Sequence, residues 1–329
     1  MPPMLIALGT PLRGRPRPWE HFKVPAIMAN AYEIIRNQTL RQDIQAKGGI
    51  HEFLDYDGTV FLDSGGFQAM VYGIDVKLEK LVDIYKMAQP DYCFSLDYPS
   101  SSARNSKKKI AHTISNYEEL RKSFRKVIPV IHPKMERALK EYEAYQKHSP
   151  EYVAIGGLVP MIRTTKGVTN GRRKAVDLIA EIRRRHNTFL HIMGLGAPTI
   201  VPILKSLNCT STDSATWRVK AAHGKIMLPS EGERYVSNRG AKFGIVTLSE
   251  AETELIERLE CPILAEYGWE GLVESFEARA LFNAWISIYA NDREKKINGP
   301  FSRLHQYAQE RATAKYPRSI TTETAPIFV

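Results

Sequence analysis

The sequence predicts an α/β fold, namely a (β/α)8 TIM barrel with a C-terminal helical extension. Short β-rich runs alternate with amphipathic segments, which is typical of parallel strands joined by helical crossovers. Eight such units occupy roughly 230 residues, which is the size of a (β/α)8 barrel. After Ser249 the pattern changes to helices alone. A doubly wound open sheet is the alternative architecture.

The predicted strands are short runs of apolar and β-branched residues. The eight runs are Pro25–Asn30, Val60–Asp63, Tyr92–Leu96, Val127–Ile131, Tyr152–Ile155, Phe189–Met193, Asn208–Thr212 and Lys225–Leu228. Another short run, Leu5–Leu8, precedes a stretch rich in Pro and Arg and is not counted among the eight.

Apolar residues at helical spacing predict the helices between and after the strands. These segments are Ala31–Lys47, Leu78 to about Pro90, Ile110–Phe124, Val176–Ile182, Glu250–Leu259 and Leu272–Tyr289. We therefore expect a barrel domain over residues 1–245 and a helical extension over 246–329, with a tail from Lys315 onward.

Composition narrows the class of protein. The 329 residues carry a formal net charge of +10, which favours polyanionic partners such as nucleic acid, although a solvated basic surface is the plain alternative. The three cysteines are far apart and form no C-x-x-C pair, so neither a disulfide framework nor a cysteine zinc site is indicated. No apolar run reaches 18 residues and no leader is recognisable, so we expect a cytoplasmic protein without a membrane segment.

The carboxyl ends of the predicted strands carry chemically capable residues. In chain order these ends hold Asp63, Asp97, His132, Gly156-Gly157, Met193-Gly194 and Asp213. In a (β/α)8 barrel the ends converge on one mouth, where active sites lie. Because a buried carboxylate is costly unless it is paired, three aspartates at one mouth favour a functional site.

Each of these residues also has a plain structural interpretation. A turn or a helix cap would account for each aspartate taken alone. A hydrogen-bonded loop would account for His132, and core packing would account for Met193 and for Phe67 in the segment F-L-D-S-G-G-F-Q. Their joint placement at successive strand ends is what favours function.

Paired carboxylates suit chemistry at a sugar. Two of them on opposite sides of an anomeric carbon permit double displacement, with one as nucleophile and the other as acid/base. The basic charge suggests that the sugar belongs to a nucleic acid, whose nucleotide must then leave the stack. Phe67 and Met193 could sandwich the extruded base, and Asp97 could accept hydrogen bonds from its N–H edge.

Several short motifs resemble those of one enzyme family. They are Asn30–Tyr32, Gly48–Phe53, Asp63–Gln68 (D-S-G-G-F-Q), Leu96–Pro99, Gly156–Leu158, Met193–Pro198 and Thr212–Ser214, with Gly224 following the last. Their order and rough spacing hold from Asn30 to Gly224. On these motifs the chain resembles the tRNA-guanine transglycosylases.

The resemblance implies a TIM barrel and a base exchange that needs no nucleoside triphosphate. By matching positions, Asp213 is the nucleophile and Asp63 is the general acid/base. The residues expected to hold the heterocycle are Asp97, Phe67, Ser64, Gly157, Met193 and His132. Arg218 and Lys220 are expected to reach phosphate, and a free 7-deazaguanine base would be the second substrate.

The chain also departs from the tRNA enzymes. Those carry a zinc site, C-x-C-x-x-C with a distant histidine, after the barrel, whereas Cys261 stands alone here, so no metal or other cofactor is expected. His132-Pro133 stands in place of a base-recognising glutamine, and Trp217–Val219 in place of P-T-R. In these departures the chain resembles the zinc-free DNA-modifying transglycosylases (DpdA-type) of phages and bacterial genomic islands.

We therefore expect a pentosyltransferase that exchanges guanine in DNA for a 7-deazaguanine such as 7-cyano-7-deazaguanine. Two alternatives stay open: a zinc-free enzyme that acts on tRNA, and a non-catalytic nucleic-acid-binding partner of an active transglycosylase. A sugar-processing hydrolase would leave the basic charge and the Phe67-Gln68 pair unexplained. The sequence is compatible with a homodimer and does not decide it.

Overall fold

Parallel strands form a nearly closed barrel at the centre of the molecule. The computed structural model describes residues 4–99, 106–163, 170–237, 246–290 and 301–313. The barrel strands are β1 (Leu5–Gly9), β2 (Ala26–Asn30), β3 (Thr59–Asp63), β4 (Tyr92–Phe94), β5 (Val127–Ile128), β6 (Val130–Ile131), β7 (Tyr152–Ile155), β8 (Phe189–Ile192) and β9 (Ser211–Ser214). Their order in the sheet is β5-β4-β3-β2-β1-β9-β8-β7-β6.

One segment of chain joins the two ends of this sheet. β5 and β6 flank Pro129, which has no N–H to give to a strand ladder. The segment pairs with β4 through β5, and with β7 through β6. Counted as one strand, it gives eight strands around the barrel, and the predicted α/β barrel is confirmed.

The membership of the barrel differs from the prediction by one strand at each end. β1 pairs in parallel with both β2 and β9, so the run left out of the eight is a barrel strand. Lys225–Leu228 was predicted to be the eighth strand, but this segment (β10) pairs antiparallel with Gly232–Tyr235 (β11) outside the barrel. The main-chain N–H of Met227 donates to the Asn283 side chain, 2.7 Å away, so the apolar run of β10 is buried against a C-terminal helix.

Helices surround the barrel and follow it. They are α1 (Ala31–Arg36), α2 (Gln38–Lys47), α3 (Ile50–Leu54), α4 (Gly66–Tyr72), α5 (Leu78–Ala88), α6 (Ser106–Ser123), α7 (Met135–Gln146), α8 (Val159–Ile162), α9 (Gly171–Arg185), α10 (Val201–Ser206), α11 (Thr216–Ala222), α12 (Glu250–Arg258), α13 (Pro262–Glu274), α14 (Phe276–Trp285) and α15 (Ser302–Thr313). The single helix predicted over Ala31–Lys47 is two helices, because Asn37 caps α2 by accepting from Leu40 N at 2.9 Å.

The apolar side chains form two layers. One cluster fills the barrel interior; its fully buried members include Phe61, Phe94, Ile128 and Val130. A larger cluster lies between the strands and the surrounding helices. The alternation of side chains along each strand supplies both layers, so the barrel is a packed core whose polar residues emerge at its ends.

The C-terminal helices pack on the barrel. Ser249 and Glu252 form a capping box that begins α12, as the change of pattern at Ser249 indicates. The Arg279 side chain on α14 donates to the main-chain oxygen of Ala221 at 3.0 Å. The boundary between residues 245 and 246 stays a prediction, and the tail from Lys315 lies outside the described residues. Within the described ranges, no helix is both long and apolar enough to cross a membrane.

Candidate active site

A cavity of about 360 Å3 opens at the carboxyl ends of the strands. Its lining includes Asp63, Met193, Asp213 and Arg218, four of the residues that the sequence singled out. Cavities of about 510 and 460 Å3 lie at the opposite end of the barrel. Neither of these is lined by a predicted site residue, so chemistry rather than volume identifies the candidate site.

Asp63 is the last residue of β3, and the pKa of its carboxyl group is raised. Burial and the charges of Asp97 and Asp213 raise its pKa to about 7, against the opposing effect of hydrogen bonds from the Gly65 and Ser64 backbone. Asn30, at the end of the neighbouring strand β2, donates from Nδ2 to Asp63 Oδ2 at 2.9 Å. A carboxyl with this pKa exchanges a proton readily near neutral pH.

Asp213 lies on β9 and is held through one carboxylate oxygen. Its Oδ1 accepts from the main-chain N–H of Gly194 at 2.8 Å and lies 3.1 Å from His191 Nε2. Ser211 Oγ lies 2.7 Å from the other ring nitrogen of His191. Since both contacts fall on Oδ1, the carboxylate is oriented in the cavity wall with its second oxygen left for chemistry.

Asp97 and His132 contact each other, and neither is among the residues that line the cavity. His132 Nε2 lies 2.8 Å from Asp97 Oδ2, and its Nδ1 lies 3.1 Å from Glu141 Oε1. Asp97 is 8% exposed and His132 only 2%. The structure therefore brings Asp97 together with His132, and it turns the histidine toward a buried glutamate rather than toward the open cavity.

The turn after β3 depends on two glycines. Gly65 has a φ of +80°, which glycine adopts without strain. A Cβ at Gly66 would lie within 3.0 Å of Asp97 atoms, including its main-chain oxygen, so only glycine lets α4 approach Asp97. The buried Ser64 Oγ accepts from Gly66 N at 3.3 Å, which places this side chain in the turn rather than in the cavity wall.

The two proposed stacking residues are placed differently. Met193 is half-buried and lines the cavity. Phe67, on α4, is 58% exposed and lies outside the lining, while its neighbour Gln68 is part of it. Gly157 follows β7 with its backbone exposed at a φ of +69°. The structure thus brings Met193 into the cavity and leaves Phe67 at its rim.

The two predicted phosphate ligands also differ. Arg218 lines the cavity, and its Nη1 donates to the main-chain oxygen of Arg15 at 2.6 Å. Lys220 is ion-paired with Glu233 on β11 and does not line the cavity. A phosphate at the mouth would therefore meet Arg218 before Lys220.

The cavity wall contains polar atoms that the protein does not satisfy. Thr10 Oγ1 and Gln68 Oε1 are buried and have no hydrogen-bond partner in the part of the chain that the structure describes. Both residues line the cavity. Buried polar atoms are nearly always paired, so these two are suited to a polar ligand.

The cysteines do not fit a zinc site. All three cysteines are buried: Cys93 lies on β4, Cys209 between α10 and β9, and Cys261 just before α13. Burial raises the pKa of Cys261 to about 11. Among the residues that the structure describes, no three His, Cys, Asp or Glu side chains are arranged to hold a metal ion.

Sequence reasoning overlooked three side chains that serve the aspartates. Asn30 and His191 contact Asp63 and Asp213 directly, and Glu141 supports His132. His191 could have been found, since it precedes Met193 by two positions and side chains two apart on a strand share a face. Glu141 lies on a crossover helix, and reasoning from the residues at strand ends cannot identify a residue on a helix.

Comparison with known proteins agrees with this geometry. Residues 3–284 match the family described as "TGT: Queuine tRNA-ribosyltransferase". The tRNA-guanine(15) transglycosylase of Picrophilus torridus is 26% identical over 223 residues, 66% of this chain and 35% of that protein. The enzyme of the same name from Methanosarcina mazei is 25% identical over 306 residues, covering 86% and 55%. "Uncharacterized protein 306" of Sulfolobus islandicus rod-shaped virus 1 is 24% identical over 243 residues, covering 72% and 73%.

The chain spans about a third to just over half of the length of these two named enzymes. The family match, by contrast, includes every barrel strand and every aspartate of the candidate site, and runs from β1 through α13 and most of α14. On this match the chain belongs to the queuine tRNA-ribosyltransferase family.

Proposed function

We propose that the protein is a guanine transglycosylase that replaces a guanine of a nucleic acid with a free 7-deazaguanine base. The supporting observation is that two carboxyl groups at one end of the barrel have different surroundings. Asp213 accepts a hydrogen bond from Gly194 N at Oδ1, whereas the pKa of Asp63 is raised to about 7 by burial and by neighbouring charges. When two carboxyl groups have different surroundings, one can act as the nucleophile and the other as the acid/base.

The reaction proceeds in two displacements. In the first, an Asp213 oxygen attacks C1′ of the ribose, the C1′–N9 bond breaks, and Asp63 gives its proton to the departing guanine. In the second, N9 of the incoming base attacks C1′, the aspartyl–sugar bond breaks, and the Asp63 carboxylate takes the N9 proton. Each step forms one bond and breaks one bond at C1′, and the enzyme returns to its starting state.

Four of the remaining predicted residues hold the base. Asp97 accepts from its N–H edge, Met193 lies against one face, and the Gly157 backbone meets its exocyclic group. Phe67, at the rim, would move over the other face on binding. Arg218 holds phosphate beside the cavity.

The comparisons favour tRNA as the polymer. The relatives from Picrophilus torridus and Methanosarcina mazei are both named tRNA-guanine(15) transglycosylases. The DNA substrate that the sequence suggested has no comparable support. We therefore propose tRNA as the substrate and keep duplex DNA as an arm of the test.

The test is a base-exchange assay with both polymers. Wild-type protein is incubated with labelled guanine or 7-cyano-7-deazaguanine and either a tRNA transcript or duplex DNA. Label should enter tRNA, and a protein–RNA adduct should survive denaturation when the incoming base is withheld. Asp213→Ala should abolish both signals, while Asp83→Ala, at an exposed aspartate of α5, should change neither. Labelling by Asp213→Ala at the wild-type rate would refute the mechanism, and labelling of DNA alone would refute the choice of polymer.

A further inference from the structure

Behind Asp97 lies a row of buried side chains that the base-exchange reaction does not use directly. His132 contacts Asp97 through Nε2 at 2.8 Å, and contacts both oxygens of Glu141 through Nδ1 at 3.1 and 3.2 Å. Arg137, one turn before Glu141 on α7, donates from Nε to Glu141 Oε1 at 2.8 Å. The exposed fractions are 8% for Asp97, 2% for His132, 0% for Glu141 and 8% for Arg137.

This geometry specifies the protonation state of His132. Each ring nitrogen faces a carboxylate oxygen, and a neutral imidazole has only one N–H to donate. A neutral ring would therefore aim a lone pair at a carboxylate, whereas an imidazolium donates on both sides.

The charges around the ring agree with this assignment. Burial lowers the pKa of His132, but the hydrogen bonds and charges of Asp97 and Glu141 outweigh it and raise the pKa to about 9. Arg137 faces Glu141 from α7, and Asp63 on β3 acts on Asp97 from the other side. Tyr145 also faces the group from α7, but its hydroxyl donates to Val130 O at 3.1 Å. Two carboxylates, one imidazolium and one guanidinium sum to zero, which makes their common burial tolerable.

We propose that His132, held by Glu141 and Arg137, is a positioning residue that fixes the orientation of the Asp97 carboxylate, and so selects the base through Asp97 without touching it. The proposal rests on the proposed function. Both ring nitrogens are already engaged, which leaves the histidine no polar atom for a ligand.

The consequence is selectivity for one kind of base edge. A carboxylate can only accept hydrogen bonds, so the edge that meets Asp97 must offer donors, as the N1–H and 2-amino group of guanine and its 7-deaza analogues do. Hypoxanthine lacks the amino donor, and adenine presents an acceptor at N1. A site built to pair with such groups rejects analogues that lack them by a large factor.

The first measurement reads the histidine itself. The full-length protein is labelled with 15N-histidine, and the His132 resonances are identified by their loss in His132→Gln. Titration from pH 6 to 10 should show the ring nitrogens of His132 protonated at neutral pH, with a midpoint near 9. In Glu141→Gln the midpoint should fall by at least one pH unit, and in Glu136→Gln, at an exposed glutamate of the same helix, it should stay where it is.

The second measurement compares the kinetics of base exchange with guanine and with hypoxanthine. Glu141→Gln and His132→Gln should each raise KM for guanine at least 10-fold, change kcat less than 3-fold, and reduce the preference for guanine over hypoxanthine. A neutral His132 at pH 7 in the wild type would overturn the proposal, even if a buried variant fails to fold. So would an unchanged KM in both variants. A wild-type protein that exchanges no base would refute the proposed function, while the titration would still decide the state of His132.

Discussion

His191 on β8 and Asp213 on the neighbouring barrel strand β9 contact each other, with His191 Nε2 3.1 Å from Asp213 Oδ1. The ring is fully buried against Phe61 and Phe94, whose centroids lie 5.6 and 5.2 Å away. Ser211 Oγ lies 2.7 Å from Nδ1. If Ser211 donates there, the tautomer is set and Nε2–H points at Asp213. The barrel core therefore aims the proposed nucleophile.

Replacing His191 should impair the chemical step rather than binding. In His191→Phe the ring remains packed but Asp213 loses one of its two orienting donors, so kcat should fall about 10- to 100-fold while KM changes little. Steady-state exchange kinetics measure this, with His223→Phe, at an exposed histidine, as the control. Ser211→Ala should give a smaller fall in kcat. An unaltered kcat in His191→Phe would show that Gly194 N alone orients the carboxylate.

The pH dependence of the exchange rate should reflect the titration of Asp63. The reaction uses its protonated form in one half and its carboxylate in the other, so the rate should change around pH 7, where its pKa lies. Asn30 donates to Asp63 Oδ2 and stabilises the ionised form, so Asn30→Ser should shift that limb of the pH–rate profile to higher pH while leaving an N-cap residue for α1. Asp63→Asn should lower kcat roughly 10²- to 10⁴-fold. A limb that does not move in Asn30→Ser would assign it to another group.

Asp63 should also make the folded state pH-dependent. Its pKa is about 7 in the folded protein against an ordinary value of 3.8, so between these values the folded state binds more protons than the unfolded state. The contribution of Asp63 to stability is therefore present below about pH 4 and is lost as pH rises through 7. At pH 8, Asp63→Asn should raise the free energy of unfolding by about 1 to 3 kcal/mol. Urea denaturation at pH 5 and pH 8 checks this, with Asp83→Asn as the control; an equal effect at both values would contradict it.

Strand-end reasoning predicted the barrel and the residues at its mouth because strand position and side-chain alternation are local properties. Asp63, Met193 and Asp213 line one cavity for that reason. It misassigned β1 and β10, since a short apolar run looks the same whether it is covered by neighbouring strands or by a helix. It also could not see that His132 turns toward Glu141, because that contact depends on how α7 packs. Contacts between elements distant in sequence carry no signal in composition or spacing.

The last prediction concerns Asn283, a buried side chain of α14 that is hydrogen-bonded to α11 and β10. Its Oδ1 accepts from Met227 N at 2.7 Å, and its Nδ2 donates to Trp217 O at 3.1 Å and Lys225 O at 3.0 Å. Asn283 is fully buried, so Asn283→Ala removes its hydrogen bonds to three main-chain groups and should lower the free energy of unfolding by roughly 2 to 4 kcal/mol. Asn283→Asp should be worse, because it keeps the acceptor but sets a charge against two carbonyl oxygens. Urea denaturation measures both, with the exposed Gln306→Ala as the control; a loss in Asn283→Ala no larger than in Gln306→Ala would mean that the Asn283 hydrogen bonds do not stabilise the packing of α14.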